Sequence, residues 1–246
     1  MTASYKPAVV TPFCQADLGK ISRCHQSVLC QTVRAQHFLV GDGATIDSGL
    51  HPNAELITLG TNNSNNGNTP RSVGALVAAS KGFSPIFFLD VDNWYRADHV
   101  AIALDLHQRQ PAVDVVISRR IVILDDGFQL GMVPEDQRGE FADTSCYCFY
   151  PSSYWIFSCW ALMPRLLSPI CDRVIFRSLQ ARACAVAWTG EPSCYFESHY
   201  SSHYQLAGRA PIQPLHDPDW KSIESCMPAL LADYFYATGL RISSPL

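Results

Sequence analysis

The sequence predicts an α/β protein with a mainly parallel sheet, and three observations lead there. Short apolar runs rich in β-branched and aromatic residues alternate with amphipathic helical patterns over the first 110 residues. Two of those runs end in aspartate, where parallel sheets of this kind place their sites, beyond the carboxyl ends of the strands. The chain of 246 residues, 48% of them hydrophobic, is long enough for one sizeable core, so a single domain over 1–246 is expected.

The elements follow in order. Ala8 to Phe13 reads as a strand, and the helix after it has Leu18, Ile21, Cys24 or His25, Val28 and Leu29 on one face. His37 to Val40 is a second strand, ending in Gly41-Asp42-Gly43-Ala44, and Leu56 to Leu59 a third. Thr61 to Thr69 is a loop of Asn, Ser, Gly and Thr. Pro70 then reads as a first helical residue capped by Asn68 or Thr69, with Arg71 in the first turn and Val73, Leu76 and Val77 inward. Ile86 to Leu89 is a buried strand, and Asp98 to Gln110 a helix with Val100, Leu104 and His107 inward.

Beyond residue 110 the pattern is less regular. Val113 to Ser118 and Ile121 to Leu124 read as strands with a turn at Asp125-Asp126-Gly127, and 129–141 as a polar, mobile loop. Tyr147 to Ile170 is aromatic but broken by three prolines. Asp172 to Ala183 returns to helix, Ala185 to Trp188 to strand, and Ile223 to Tyr236 closes as an amphipathic helix with Ile223, Met227, Leu230, Leu231, Tyr234 and Phe235 on its stripe.

Composition narrows the function classes. A net charge of −4 without Lys/Arg clusters leaves no footprint for nucleic acid or an anionic membrane surface. The ten cysteines are scattered, which fits free thiols in a reducing cytosol better than a disulfide framework or a zinc ribbon. The first residues carry no apolar run of a signal peptide, and no window reaches the ~18 unbroken apolar residues of a spanning helix. A cytoplasmic protein is therefore expected.

Chemistry is concentrated at the strand ends. Asp90 and Asp92 leave a buried strand together, and carboxylates in such a place need a partner, here a divalent cation and hence a phosphate-bearing ligand. Asp42 stands at the end of a second strand. The bland readings are a turn aspartate for Asp42, helix capping for Asp90 and Asp92, and a solvated helix residue for Arg71. His199 and His203, four apart, could add a metal ligand, although satisfied or exposed histidines are commoner. Trp155 and Trp160 could stack on a sugar ring or simply fill the core. Tyr154 to Ile170 could rest on a membrane but lacks a basic flank.

Taken together the motifs resemble the inverting family 2 glycosyltransferases of the GT-A fold, a Rossmann-like, mostly parallel sheet flanked by helices. Val9-Val10-Thr11-Pro12-Phe13 resembles the opening strand, Ser27-Val28-Leu29-Cys30-Gln31-Thr32 the helix end S-x-L-x-Q-T, and Val40-Gly41-Asp42-Gly43-Ala44 stands at V-D-D-G-S. Asn66-Gly67 with Arg71 and Gly74 resembles N-x-G…A-R-N-x-G, Asp90-Val91-Asp92 the D-x-D motif, and Asp98-His99-Val100 the P-D-H-L helix start. Gly41 and Ala44 depart from the pattern.

The resemblance implies a nucleotide-sugar-binding half over about 1–110 and an acceptor-binding half over about 111–246. It implies a metal-dependent transfer from a nucleotide-diphosphate sugar, with a UDP-sugar expected, to a glycan or lipid-linked glycan. Thr11, Pro12 and Asp42 would hold the base, Arg71 the nucleotide or diphosphate, Asp92 the Mn²⁺ or Mg²⁺, and Asp90 the ribose or a metal-bound water, with Val91 between them. A histidine late in the domain completes the metal site in some GT-A enzymes, and His199 or His203 would take that place here. Asp172, at the start of a helix after an apolar loop, would be the general base, with a structural N-cap as its bland reading. A GT-A-like domain that binds nucleotide or glycan without transfer is the alternative. Nucleotidyl transfer ranks lower, because Thr11-Pro12-Phe13-Cys14 is no glycine-rich basic loop.

Overall fold

The computed structural model describes residues 5–14, 17–134, 139 and 142–245. A sheet of nine strands runs through it in the order β3-β2-β1-β4-β8-β6-β9-β5, with β7 paired to β6. The first four strands are β1 (Ala8–Phe13), β2 (Gln36–Asp42), β3 (Ala54–Leu59) and β4 (Ile86–Phe88). They are parallel to one another. Helices α1 (Leu18–Leu29), α2 (Asn68–Ser80) and α3 (His99–Arg109) connect and cover them. The chain leaves β1 toward β2 on one side and reaches β4 on the other, so β1 and β4 meet where the strand order reverses, and a crevice opens there. Pairing between β1 and β4 stops at Val10 and Phe88. Pro12, which has no N–H to offer, lies beyond that point, and its missing donor breaks no ladder.

The second half is mixed in direction. The short edge strand β5 is Trp94–Tyr95, and β6 (Val115–Leu124) is one continuous strand rather than two, with shifts of register near Arg119. The hairpin strand β7 is Gln129–Gly131, and β8 (Tyr147–Phe149) runs antiparallel to both β4 and β6. The last strand, β9 (Val186–Ser198), is far longer than the sequence suggested. It survives Gly190 and Pro192 because β6 pairs with it in parallel along most of its length. The polar 129–141 stretch therefore contributes β7; residues 135–138 and 140–141 lie outside the described residues, as do 1–4. The remaining helices are α4 (Phe157–Ala161), α5 (Cys171–Ala181), α6 (Ser201–Ala207) and α7 (Trp220–Thr238). Among the described residues no helix is long and apolar enough to cross a membrane.

Three helix faces differ from expectation. On α2 the small residues Gly74, Ala75 and Ala78 are buried, whereas Leu76 is 48% exposed. The cause is closeness: a Cβ on Gly74 would lie 2.6 Å from Val10 Cγ1 and 2.7 Å from Val40 Cγ2, so only a small face can lie on the sheet. This helix also begins at Asn68, two residues earlier than the expected Pro70, with Gly67 at φ +76 as its cap. On α1, Ile21, Cys24, His25 and Val28 are buried but Leu18 and Leu29 are exposed. On α7, Phe235 turns outward. Trp160 is fully buried against Phe88 and Phe149.

Candidate functional site

A cleft of about 1110 Å³ opens over the carboxyl ends of β1, β2 and β4. Pro12, Asp42, Arg71, Asp90, Val91, Asp92, Asp172 and His199 all line it. Sequence positions far apart thus converge on one space. Thr11 and His203 do not. Side chains alternate along a strand, and Pro12 faces the cleft, so Thr11 points into the core. There its hydroxyl lies 2.8 Å from His37 Nε2 and 3.6 Å from Cys24 Sγ.

The Asp42 end of the cleft is built by close backbone approach. Asp42 is buried at the end of β2, and its Oδ1 accepts from the Asn63 N–H at 3.1 Å and from Asn63 Nδ2 at 2.5 Å. The asparagine-rich loop therefore folds onto this carboxylate. The departure at Gly41 has a steric reason, since a Cβ there would meet the Ala44 carbonyl oxygen at 2.0 Å. An acid at 41 cannot coexist with this turn. Gly67 lies against Pro12, whose ring would be 3.0 Å from an added Cβ, and this contact brings the start of α2 to the cleft wall.

Arg71, in the first turn of α2, is only 2% exposed and has the partner such burial requires. Its Nη2 donates to Asp90 Oδ1 at 2.5 Å and its Nη1 to Asn68 Oδ1 at 3.1 Å. Its Nε makes no hydrogen bond. Asp90 is fixed further by its N–H to Ser145 Oγ, which also accepts from Asn93 Nδ2 at 2.8 Å. Asp92 is half-buried; burial first and the Asp90 charge second push its carboxyl up to about 6. Arg23 Nη2 donates to the Asp92 carbonyl at 2.6 Å, holding the turn rather than the carboxylate.

A cation would relieve that repulsion. Mg²⁺ and Mn²⁺ are commonly held by one or two carboxylates plus the phosphate oxygens of a substrate, and Asp90 and Asp92 fit that donor set. Among the described residues no group of three His, Cys, Asp or Glu is arranged to hold an ion without such help. The two histidines expected to assist are separated by the fold. His199 precedes α6 and points to the cleft, with Nε2 3.4 Å from Glu197 Oε1. His203, on α6, is buried with Nδ1 2.6 Å from Ser198 Oγ, so the pair shares no helix face.

Asp172 is the second residue of α5. Its Oδ1 accepts from the Arg173 N–H at 2.8 Å, and burial raises its pKa against that bond. It does not cap the helix, for Ile170 is the N-cap residue and bonds by no side chain. The sequence reading passes over two further acids here. Asp143 lies between the polar loop and β8, where no pattern singled it out. It is buried beside Arg120, with Oδ2 3.4 Å from Nη1, and burial lifts its pKa to about 7 despite that guanidinium. Glu197 sits at the end of the unexpected length of β9. It takes Lys20 Nζ at 2.7 Å and Arg23 Nη2 at 2.6 Å, closing the far wall. Trp155 and Trp160 line no part of the cleft.

No known family's sequence profile matches this chain, and no curated protein is similar to it in sequence. Solved structures are similar in fold. One is S. aureus TarS 1–349 in complex with UDP, with a TM-score of 0.59 at 15% identity over 82% of this chain and 62% of that one. Another is TarS 1–349 in complex with UDP-GlcNAc, with a TM-score of 0.58 at 15% identity over 94% and 67%. A third, S. aureus TarS, gives 0.56 at 16% identity over 82% and 38%. This chain thus spans 62% of the first and 38% of the third. At such identities the likeness shows the fold, a mostly parallel sheet flanked by helices, as the motifs implied.

Proposed function

We propose that this chain is a metal-dependent, inverting glycosyltransferase of the family 2 type that moves a sugar from UDP to an acceptor hydroxyl. One observation carries the reading: Asp42, Arg71, Asp90, Asp92 and Asp172 arrive from four separate segments to line a single cleft. The similar TarS structures hold UDP and UDP-GlcNAc, which supports a uridine donor. Asp42 accepts from a uracil ring N–H, and Pro12 packs beside the base. Arg71 holds Asp90 in place toward the ribose, and its guanidinium at the cleft wall adds positive charge near the diphosphate. Asp92 and Asp90 would hold Mn²⁺ or Mg²⁺, which when bound neutralises charge on the leaving diphosphate. Asp172 takes the acceptor proton, and its raised pKa makes it a better base than an exposed aspartate.

The test is UDP release and product mass from a panel of UDP-hexoses and UDP-N-acetylhexosamines. Turnover is expected with Mn²⁺ or Mg²⁺, abolished by EDTA and restored by the ion. Metal-independent turnover would contradict the cation's part. A second reading, a non-catalytic domain that binds nucleotide, is favoured by Gly41 where the family pattern has an acid. Tight UDP binding with no turnover across the panel would select it.

A further inference from the structure

A second cavity of about 390 Å³ shares a wall with the cleft. Asp143, Pro169, Asp172, Tyr200 and Pro218 line both spaces, whereas Asp42, Arg71, Asp90 and Asp92 line only the first. Asp172 therefore stands at the boundary between them, and a group in the second cavity approaches it from the side away from the carboxylates of the nucleotide end. The volume lies within the ~300–1,000 Å³ of small-molecule pockets.

Its lining is aromatic and hydroxyl-rich. Trp220, at the first turn of α7, is 37% exposed, and the Arg173 guanidinium lies 5.4 Å from its ring centre. Tyr200 is held parallel to Phe196, with ring centres 6.1 Å apart. Ser201, Ser202 and Asp217 add hydroxyls and a carboxylate, and Asp217 Oδ1 accepts from the Ser201 N–H at 3.0 Å. Flat apolar faces beside hydrogen-bonding groups suit the C–H faces and hydroxyls of a pyranose. Charge decides between kinds of sugar. The lining guanidiniums, Arg120 and Arg173, face three carboxylates, Asp143, Asp172 and Asp217. Arg120 already pairs with Asp143. With no surplus of positive charge, the cavity does not favour a phosphate or a sugar acid.

We propose that this cavity holds the acceptor, and that the acceptor is an uncharged glycan whose ring stacks on Trp220 while its reacting hydroxyl reaches Asp172. The inference rests on the transferase reading above. In the step itself, the acceptor oxygen forms a bond to the anomeric carbon, the bond from that carbon to the diphosphate oxygen breaks with its electron pair leaving on UDP, and the hydroxyl proton passes to the Asp172 carboxylate.

Saturation-transfer NMR with neutral gluco-, manno-, galacto- and chito-tetraoses, in the presence of UDP and Mn²⁺, tests it without needing turnover. At least one should give signals on its ring protons. Trp220→Ala should weaken that binding tenfold or more while UDP affinity by calorimetry is retained, and Trp220→Phe should recover most of it. If none of the tetraoses binds, if Trp220→Ala leaves binding unchanged, or if a phosphorylated oligosaccharide binds more tightly than its neutral counterpart, the acceptor assignment is overturned. Failure of UDP to bind the wild-type chain would instead strike at the transferase reading.

Discussion

A chain of buried side chains runs behind the cleft from Cys24 to the β2–β3 connection. Thr11 Oγ1 is 2.8 Å from His37 Nε2, His37 Nδ1 is 2.9 Å from His25 Nδ1, and His25 Nε2 is 3.0 Å from the Pro52 carbonyl. A carbonyl only accepts, so His25 donates there, and a neutral His37, with one ring nitrogen donating and the other accepting, completes the chain. Burial drives the His37 pKa well down, the nearness of His25 and His51 disfavours its charge further, and burial also lowers the pKa of His51 and, to about 3, that of His99. An unfolded histidine titrates near 6.5, so below that pH the unfolded chain takes up protons that the folded chain refuses. Stability should be fully present above about pH 7 and fall as pH drops through 6, by ~1.4 kcal/mol per pH unit for each such histidine. Urea unfolding at pH 7.5 and 5.5 measures it. Equal midpoints at the two values would show that these residues are not buried neutral.

At the scale of elements, the site depends on how closely α2 lies on the sheet. Gly74 faces Val10 and Val40, and three residues earlier Arg71 makes its contact with Asp90. Gly74→Ala should gain ~1 kcal/mol of helix propensity but lose ~1–3 kcal/mol to overpacking, for a net drop in melting temperature. The displaced helix should also weaken UDP binding through Arg71. A variant that melts higher and binds UDP as before would refute this account of α2. The same contact explains what the sequence hid. Periodicity favoured Leu76 as an inward residue, because it reads size as burial, yet close packing here selects Gly74, Ala75 and Ala78. Strands β1, β2 and β4 were legible, since parallel buried strands are continuous apolar runs, and the half-exposed edge strand β3 was legible from its Leu56-Ile57-Thr58-Leu59 run. Strand β9 was not, because Gly190 and Pro192 interrupt its pattern and only pairing with β6 restores it.

Over the whole molecule, the sheet's reversal at β1 and β4 gathers what the chain scatters. Asp42, Arg71 and the Asp90-Val91-Asp92 turn were readable because each ends a strand or opens a helix. Asp143 and Glu197 were not, for one lies between patterns and the other at the end of the hidden strand. Glu197 draws Lys20 and Arg23 of α1 to the far side of the cleft, so the two halves of the chain close one space. The central claim is that Asp172, from the second half, acts on a donor held by the first. Sugar transfer by Asp172→Asn, compared with wild type at saturating UDP-sugar, tests that most directly. The account predicts a fall of ~10²–10⁴-fold in kcat with the affinity for UDP retained; transfer at the wild-type rate would contradict it.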